Sequence, residues 1–237
     1  MSAPSVVVVT GGSGAIGVAI ARSRAERGDT VIVFDAAGTD GAAHGSADWG
    51  AIRCDVTDER SVSAAFGKVV AEHGRIDHVV TAAGVMSVQP IAELGAQEWH
   101  RVFDVNVLGL MLTCRYALET MQRGGSLSII SSAAGVNAAT VTGVAYAVSK
   151  SAGIHLARML AAQYAPEGIR VNAVCPGAVD TSMSAVFDRE RLMAAVASNP
   201  SGRMLKPEDV ANVVDFLIDS GDADVTGQVI TMGSPPR

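Results

Sequence analysis

SVVVVTGGSGAIG, residues 5–17, runs four valines into a turn that carries four glycines. Consecutive β-branched residues favour a strand, and a strand apolar at every position is buried on both faces. Gly12, Gly14 and Gly17 fit G-x-G-x-x-G, and GVAIARSRAERG (17–28) continues with helical periodicity. Glycines so placed allow a tight turn and let an anionic group approach the backbone N–H groups at a helix start. Gly11, Ser13, Gly14 and Ile16 are the candidate cofactor contacts of this turn. The motif is weak in isolation, but Asp35 closes the next apolar run, TVIVFD (30–35), 18 positions after Gly17. A carboxylate there accepts hydrogen bonds from ribose hydroxyls and repels a 2′-phosphate, which favours NAD over NADP. Ser13, Gly14, Ala36 and Ala37 add no cation to neutralise such a phosphate. Asp35 as a simple turn residue is the alternative.

Further Val- and Ile-rich runs follow at AIRCDV (51–56), HVVTAAG (78–84), SLSIISS (126–132), RVNAVCPG (170–177) and GQVITMG (227–233). Between them, residues 59–74, 96–121 and 145–165 read as crossover helices. Apolar strands alternating with helices predict an α/β fold: a three-layer, doubly wound (Rossmann-like), seven-stranded parallel sheet flanked by helices. No linker divides the chain, so residues 1–237 are expected to form one domain. Residues 178–205 are the least regular stretch and follow a strand's carboxyl end, where open α/β sheets bind ligands. That stretch is a candidate substrate lid, with a surface loop as the alternative.

Hydrophobic residues make up 49% of the chain and charged residues 18%, enough apolar surface for a large core. The net charge of −6 argues against nucleic-acid or anionic-membrane partners and for a small-molecule substrate. No run has the length of a membrane span and the first residues lack a signal-peptide pattern, so a cytoplasmic location is expected. Cys54, Cys114 and Cys175 lack metal-ligand spacing and read as buried thiols, with no disulfide and no metal.

Tyr146 and Lys150, in AYAVSK (145–150), are one helical turn apart and share a face. A free phenol titrates near 10, so bringing it to neutrality takes about 4 kcal/mol of preference for phenolate. A lysine cation and an oxidised nicotinamide both push in that direction.

With the glycine turn, Asp35 and this pair together, the chain resembles the short-chain dehydrogenases/reductases over nearly its whole length. The resemblance implies a catalytic tetrad of Asn106 in DVNVLG, Ser132 in IISSAAG, Tyr146 and Lys150. Ser132 lies 14 residues before Tyr146, and Ser131 is the competing serine. It further implies adenine-side contacts at Asp55, Val56, Ala83 and Gly84, although a turn role explains Asp55 nearly as well. In CPGAVDTSM (175–183), Pro176 and Gly177 would shape a turn, while Val179 and Thr181 would hold the nicotinamide amide. Tyr146 would take the substrate hydroxyl proton as hydride passes to the nicotinamide. Ser132 would bond the reacting oxygen, Lys150 the ribose, and Asn106 a water leading to solvent.

Three departures stand out: Ala15 replaces the family's second turn glycine, Ala82 its usual asparagine, and the tail TMGSPPR lacks its aspartate and paired glycines. The expected activity is an NAD-dependent secondary alcohol dehydrogenase, with ring hydroxyls and dihydrodiols among the candidate substrates. An NADPH-dependent 3-oxoacyl thioester reductase is the alternative, and an idle nucleotide-binding scaffold the third reading. Met86, Val136, Met183 and Phe187 would make an apolar pocket, and Arg189 and Arg191 could meet an acid or simply form a solvated helix face. Helices 96–121 and 145–165 resemble those that pair subunits, implying a homotetramer or a dimer.

Overall fold

A computed structural model describes residues 4–37, 49–137, 142–197, 199–221 and 224–233, without the side chains of Arg191 and Ala195. The strands are β1 (Val6–Thr10), β2 (Thr30–Asp35), β3 (Gly50–Arg53), β4 (Ile76–Thr81), β5 (Met121–Ile130), β6 (Arg170–Pro176) and β7 (Val229–Met232). All pair in parallel, in the order β3-β2-β1-β4-β5-β6-β7. The chain leaves β1 in one direction and returns to its other side at β4, opening a crevice at the strands' carboxyl ends.

The helices are α1 (Ala15–Glu26), α2 (Glu59–His73), α3 (Ala96–Phe103), α4 (Leu110–Thr120), α5 (Val144–Tyr164), α6 (Arg189–Ala197) and α7 (Pro207–Asp219). Alternate residues of each strand feed the two faces of the sheet. Val6 and Val8 join Phe66 of α2, Leu112 of α4 and Ile154 of α5 in one core. Val7 and Val9 join Ile20 of α1 and Val210 and Leu217 of α7 in the other. Three layers result, as expected.

Local chemistry sets the ends. Asp58 caps α2 by accepting from the Arg60 N–H at 3.0 Å, and Gly74, at φ 75°, ends it in the left-handed region. Pro207 opens α7, where Asp209 accepts from the Lys206 N–H at 2.8 Å. Helix α7 was not among the expected crossovers. Buried Arg24 of α1 ties it down, donating to Asp29 and to Asp219 at 2.7 Å each.

The expected helix over 96–121 is interrupted: Asp104–Gly109 form a π-helical turn centred on Asn106. A side chain added at Gly109 would strike Val56 Cγ2 at 2.7 Å, so the bulge is pressed against the loop after β3. β3 ends at Arg53, so Asp55 and Val56 lie past the strand instead of closing it. Ser131 and Ser132 likewise follow β5. The 178–205 segment is more regular than expected, with a short 3₁₀ turn at Ser182–Val186 and α6.

Cys54, Cys114 and Cys175 are buried free thiols, each pushed up by burial to between about 11 and about 12. His78 on β4 is buried, with Nδ1 2.9 Å from Ser126 Oγ, and burial pulls its imidazole down to about 4. The unfolded chain binds that proton near pH 6.5, so acid favours unfolding. Stability is expected to be intact above about pH 6.5 and to fall by on the order of 3 kcal/mol as pH drops to 4. Urea melts at pH 7.5, 5.5 and 4.5 check this, and His78→Gln should flatten the dependence.

Candidate active site

The glycine turn is assembled by close backbone contacts. Gly11 has φ +66°, and a Cβ on it would sit 2.6 Å from the Ala83 nitrogen. A Cβ on Gly12 would strike Val33, and one on Gly17 would sit 2.3 Å from the Gly11 carbonyl oxygen. Gly14 differs: its nearest neighbour is the Gly11 oxygen at 3.3 Å, and it heads α1 without a side-chain cap. The first N–H groups of α1 therefore face outward beside Gly14 and can take a pyrophosphate. Ala15 is exposed and opens the helix, leaving the close approach to Gly14. Ile16 packs partly into the core behind the turn.

Asp35 lies beside this turn, with Oδ2 accepting from the Ser13 N–H at 3.1 Å and Oδ1 from the Ala37 N–H at 3.0 Å. Arg53, not anticipated from the sequence, is its partner in register across β2 and β3, on the same face of the sheet. Only strand pairing reveals that proximity. Asp55 accepts from the Thr57 N–H and hydroxyl at 2.9 and 2.8 Å, an Asx turn that matches its alternative reading. Val56 is buried against the π turn, and Ala83 donates weakly to Thr10 Oγ1 at 3.4 Å.

Ser132, Tyr146 and Lys150 converge past the carboxyl end of β5. Ser132 caps a 3₁₀ turn at Ala133–Gly135, and its hydroxyl pulls the Tyr146 phenol toward phenolate. Ser131 instead donates to the Lys150 carbonyl at 2.7 Å and braces α5. Tyr146 is buried, which pushes its phenol up to about 12 against the opposing pull of Ser132. Lys150 Nζ lies 5.7 Å from the tyrosine ring centre and donates to the Ile130 carbonyl at 3.1 Å. Burial lowers its ammonium to about 8. In the protein alone, burial outweighs the pull of Ser132, and the phenol stays protonated at neutral pH.

Asn106 is used on every side. Its Oδ1 accepts from the Val85 N–H at 2.8 Å, and its Nδ2 donates to the Val85 carbonyl and to Ser149 Oγ at 3.0 Å each. Ser149 in turn donates to the Tyr146 carbonyl at 2.7 Å. Asn106 thus staples the loop after β4 to α5 with its side chain. Ser149 was missed, although its place three residues after Tyr146 puts it on the same side of the helix. Gly84 packs near both: a Cβ there would lie 3.3 Å from Asn106 Oδ1 and from Lys150 Nζ.

Gly177 crosses Gly233 so closely that a Cβ would be 2.5 Å from the Gly233 oxygen, so the turn after Pro176 is shaped by backbone contact. Val179 bridges Leu205 in parallel, with Leu205 bonding the Ala178 carbonyl and the Asp180 N–H. That pattern turns Val179's own peptide groups to the other side, available to a ligand amide. Thr181 bonds Ser184 through its carbonyl and caps nothing with its hydroxyl. Val136 and Met183 are exposed, and Met86 and Phe187 half-buried. Arg189 is exposed on α6; the Arg191 side chain and the tail at 234–237 lie outside the described residues. Among the described residues no helix is long and apolar enough to cross a membrane.

Residues 11–233 match the family model described as Enoyl-(Acyl carrier protein) reductase. The chain is 36% identical to cis-4-hydroxycyclohexanecarboxylate dehydrogenase of Sinomonas cyclohexanicum, over 97% of this chain and 95% of that one. It is 36% identical to D-threitol dehydrogenase of Mycolicibacterium smegmatis (94% and 88% covered) and 34% identical to a 3-oxoacyl-[acyl-carrier-protein] reductase of Bos taurus (96% and 95%). The ligand-free aldohexose dehydrogenase of Thermoplasma acidophilum superposes with a TM-score of 0.86 at 32% identity, covering 99% and 98% of the two chains. A glycine turn built for a pyrophosphate, a serine on a buried tyrosine one turn before a lysine, and these relatives converge: the chain belongs to the short-chain dehydrogenase/reductase family, oxidoreductases that bind a nicotinamide cofactor and act on CH–OH or ketone groups.

Proposed function

We propose that this protein is an NAD-dependent dehydrogenase of secondary alcohols, with ring hydroxyls as the leading substrate class. The Asp35 carboxylate beside the glycine turn carries the cofactor choice: it suits ribose hydroxyls and repels a 2′-phosphate. Two relatives are named for ring-hydroxyl and polyol substrates, and exposed Val136 and Met183 offer apolar contact.

Gly11, Ser13, Gly14 and Ile16 would hold the pyrophosphate side, Asp35, Asp55, Val56, Ala83 and Gly84 the adenosine, and Pro176, Gly177, Val179 and Thr181 the carboxamide. When bound, the oxidised nicotinamide supplies the hydride acceptor and a positive charge. Tyr146 takes the proton from the substrate hydroxyl, and Ser132 bonds the same oxygen as its charge changes. Lys150 biases the phenol toward phenolate and binds the nicotinamide ribose. Asn106 keeps the loop at Val85 in place and positions a water between Lys150 and solvent. We assign residues 1–237 to one domain with a substrate lid at 178–205, acting as a homotetramer or dimer through α4 and α5. The three buried thiols fit the reducing cytoplasm.

A second reading, an NADPH-dependent 3-oxoacyl thioester reductase, is favoured by one observation: Arg53 stands in register beside Asp35 and could meet a phosphate. Fluorescence titrations of NADH and NADPH decide between them. We expect NADH to bind at least about tenfold tighter, a difference of about 1.4 kcal/mol that Asp35→Ala abolishes. Preference for NADPH in the unaltered protein overturns the proposal and directs the search to 3-oxoacyl substrates.

A further inference from the structure

The active-site lysine shares a small internal cavity with an unsatisfied hydroxyl. Thr10, Thr81 and Ile129 are neighbours in one row across β1, β4 and β5. This row lies on the face that packs against α4 and α5, where Val79 and Ile129 join Leu112 and Ile154. Beneath α5 it encloses, with Asn106, Ser131, Ser149 and Lys150, a cavity with about 10 Å³ for the centre of a water molecule, room for one.

Most of the polar groups around it are engaged. Ser131 Oγ donates to the Lys150 carbonyl and Ser149 Oγ to the Tyr146 carbonyl, both at 2.7 Å. Thr10 Oγ1 receives only the long contact from Ala83 N–H at 3.4 Å. Thr81 Oγ1 has no partner among the described residues, although the residue is only 4% exposed. Buried hydroxyls are normally bonded, and the cavity that Thr81 lines with Thr10 and Lys150 has room for a water that could bond it. The Lys150 ammonium has three N–H groups, of which the described residues take one, through the Ile130 carbonyl.

We propose that the cavity is a water site and that Thr81 is a positioning residue, holding one internal water that gives the Lys150 ammonium a second acceptor. The water accepts from Nζ and donates to Thr81 Oγ1, with Thr10 Oγ1 alongside. This fixes the ammonium from two sides beneath the site where Tyr146 works, so the catalytic part of the inference rests on the function proposed above. The groups facing Lys150 are otherwise neutral: the Cys175 thiol from β6, pushed up to about 11, Ser131 from beyond β5, and Asn106 from the π turn. No carboxylate acts on it among the described residues, so a water dipole matters to its charge.

The test uses Thr81→Val, which keeps the shape and removes the hydroxyl, and Thr81→Ser, which restores it. A high-resolution crystal structure of the unliganded protein should show one water about 3 Å from Thr81 Oγ1, absent in Thr81→Val. In kinetics, Thr81→Val should shift the rising limb of the kcat–pH profile about one unit alkaline, costing about tenfold at pH 7. Its KM for NAD should change little, and Thr81→Ser should follow the unaltered protein. An empty cavity in the wild-type crystal, or an unshifted profile in a folded Thr81→Val enzyme, overturns the proposal. The crystallographic result does not depend on the reaction, so a protein that oxidises no alcohol with NAD sinks the functional reading while the water site is still decided.

Discussion

Tyr146→Phe is expected to lower kcat for secondary-alcohol oxidation by about a thousandfold at neutral pH, the scale of a lost general base. NADH affinity should stay within about twofold, because the ring's buried packing is retained and only the hydroxyl is removed. The geometry gives the reason. The phenol is the titratable group that the Ser132 hydroxyl pulls toward phenolate, while the Lys150 ammonium lies 5.7 Å from the ring centre and is turned to the Ile130 carbonyl. In the protein alone the phenol is pushed up to about 12, a poor base at pH 7. Its deprotonation must therefore follow arrival of the positively charged nicotinamide, which predicts ordered binding with cofactor first. Stopped-flow single turnovers check both points. More than about 10% residual activity in Tyr146→Phe would show that another group takes the proton.

Gly17→Ala should be the most damaging change in the glycine turn, and it should act on folding. The new methyl would lie 2.3 Å from the Gly11 oxygen and 2.8 Å from the Gly12 Cα, both backbone atoms that cannot swing away. Overpacking of this kind costs about 3 kcal/mol or more, which for a domain of this size lowers Tm by roughly 10 °C. Gly14→Ala provides the contrast. Its methyl would meet only the Gly11 oxygen at 3.3 Å, so Tm should move little. The same methyl would stand where a pyrophosphate approaches α1, and NADH affinity should fall by about tenfold. Thermal melts paired with NADH titrations separate the two. Equal losses of Tm in both variants would show that the turn's glycines serve packing alone.

These two glycines also show where reading the chain stops. G-x-G-x-x-G treats Gly12, Gly14 and Gly17 alike, because each is a residue without a side chain. The fold separates them: Gly12 faces Val33, Gly17 faces Gly11, and Gly14 faces outward. The two adjacent serines follow the same pattern. Residue spacing treats Ser131 and Ser132 alike, whereas past the end of β5 the Ser131 hydroxyl bonds the Lys150 carbonyl and the Ser132 hydroxyl acts on the phenol. The long helix expected over 96–121 is broken at Asn106 by a π turn that packs closely against Val56, a contact that local propensity does not encode. Helix α7 follows the irregular 178–205 stretch and shows its apolar stripe, with Val210, Val214, Leu217 and Ile218 buried, only against α1 and the sheet.

The valine-rich runs, the alternation with helices, the glycine turn with Asp35, and the Tyr146–Lys150 pair were set by residue type and short spacing. Local sterics and helical period act over a few residues, and so are written directly in the chain. The pairing of Arg53 with Asp35, the Asn106–Ser149 staple and the cavity joining Thr81 to Lys150 link residues 18 to 69 positions apart. Those contacts exist only once strand order, register and helix packing have brought distant segments together, which is why tertiary structure alone decided them.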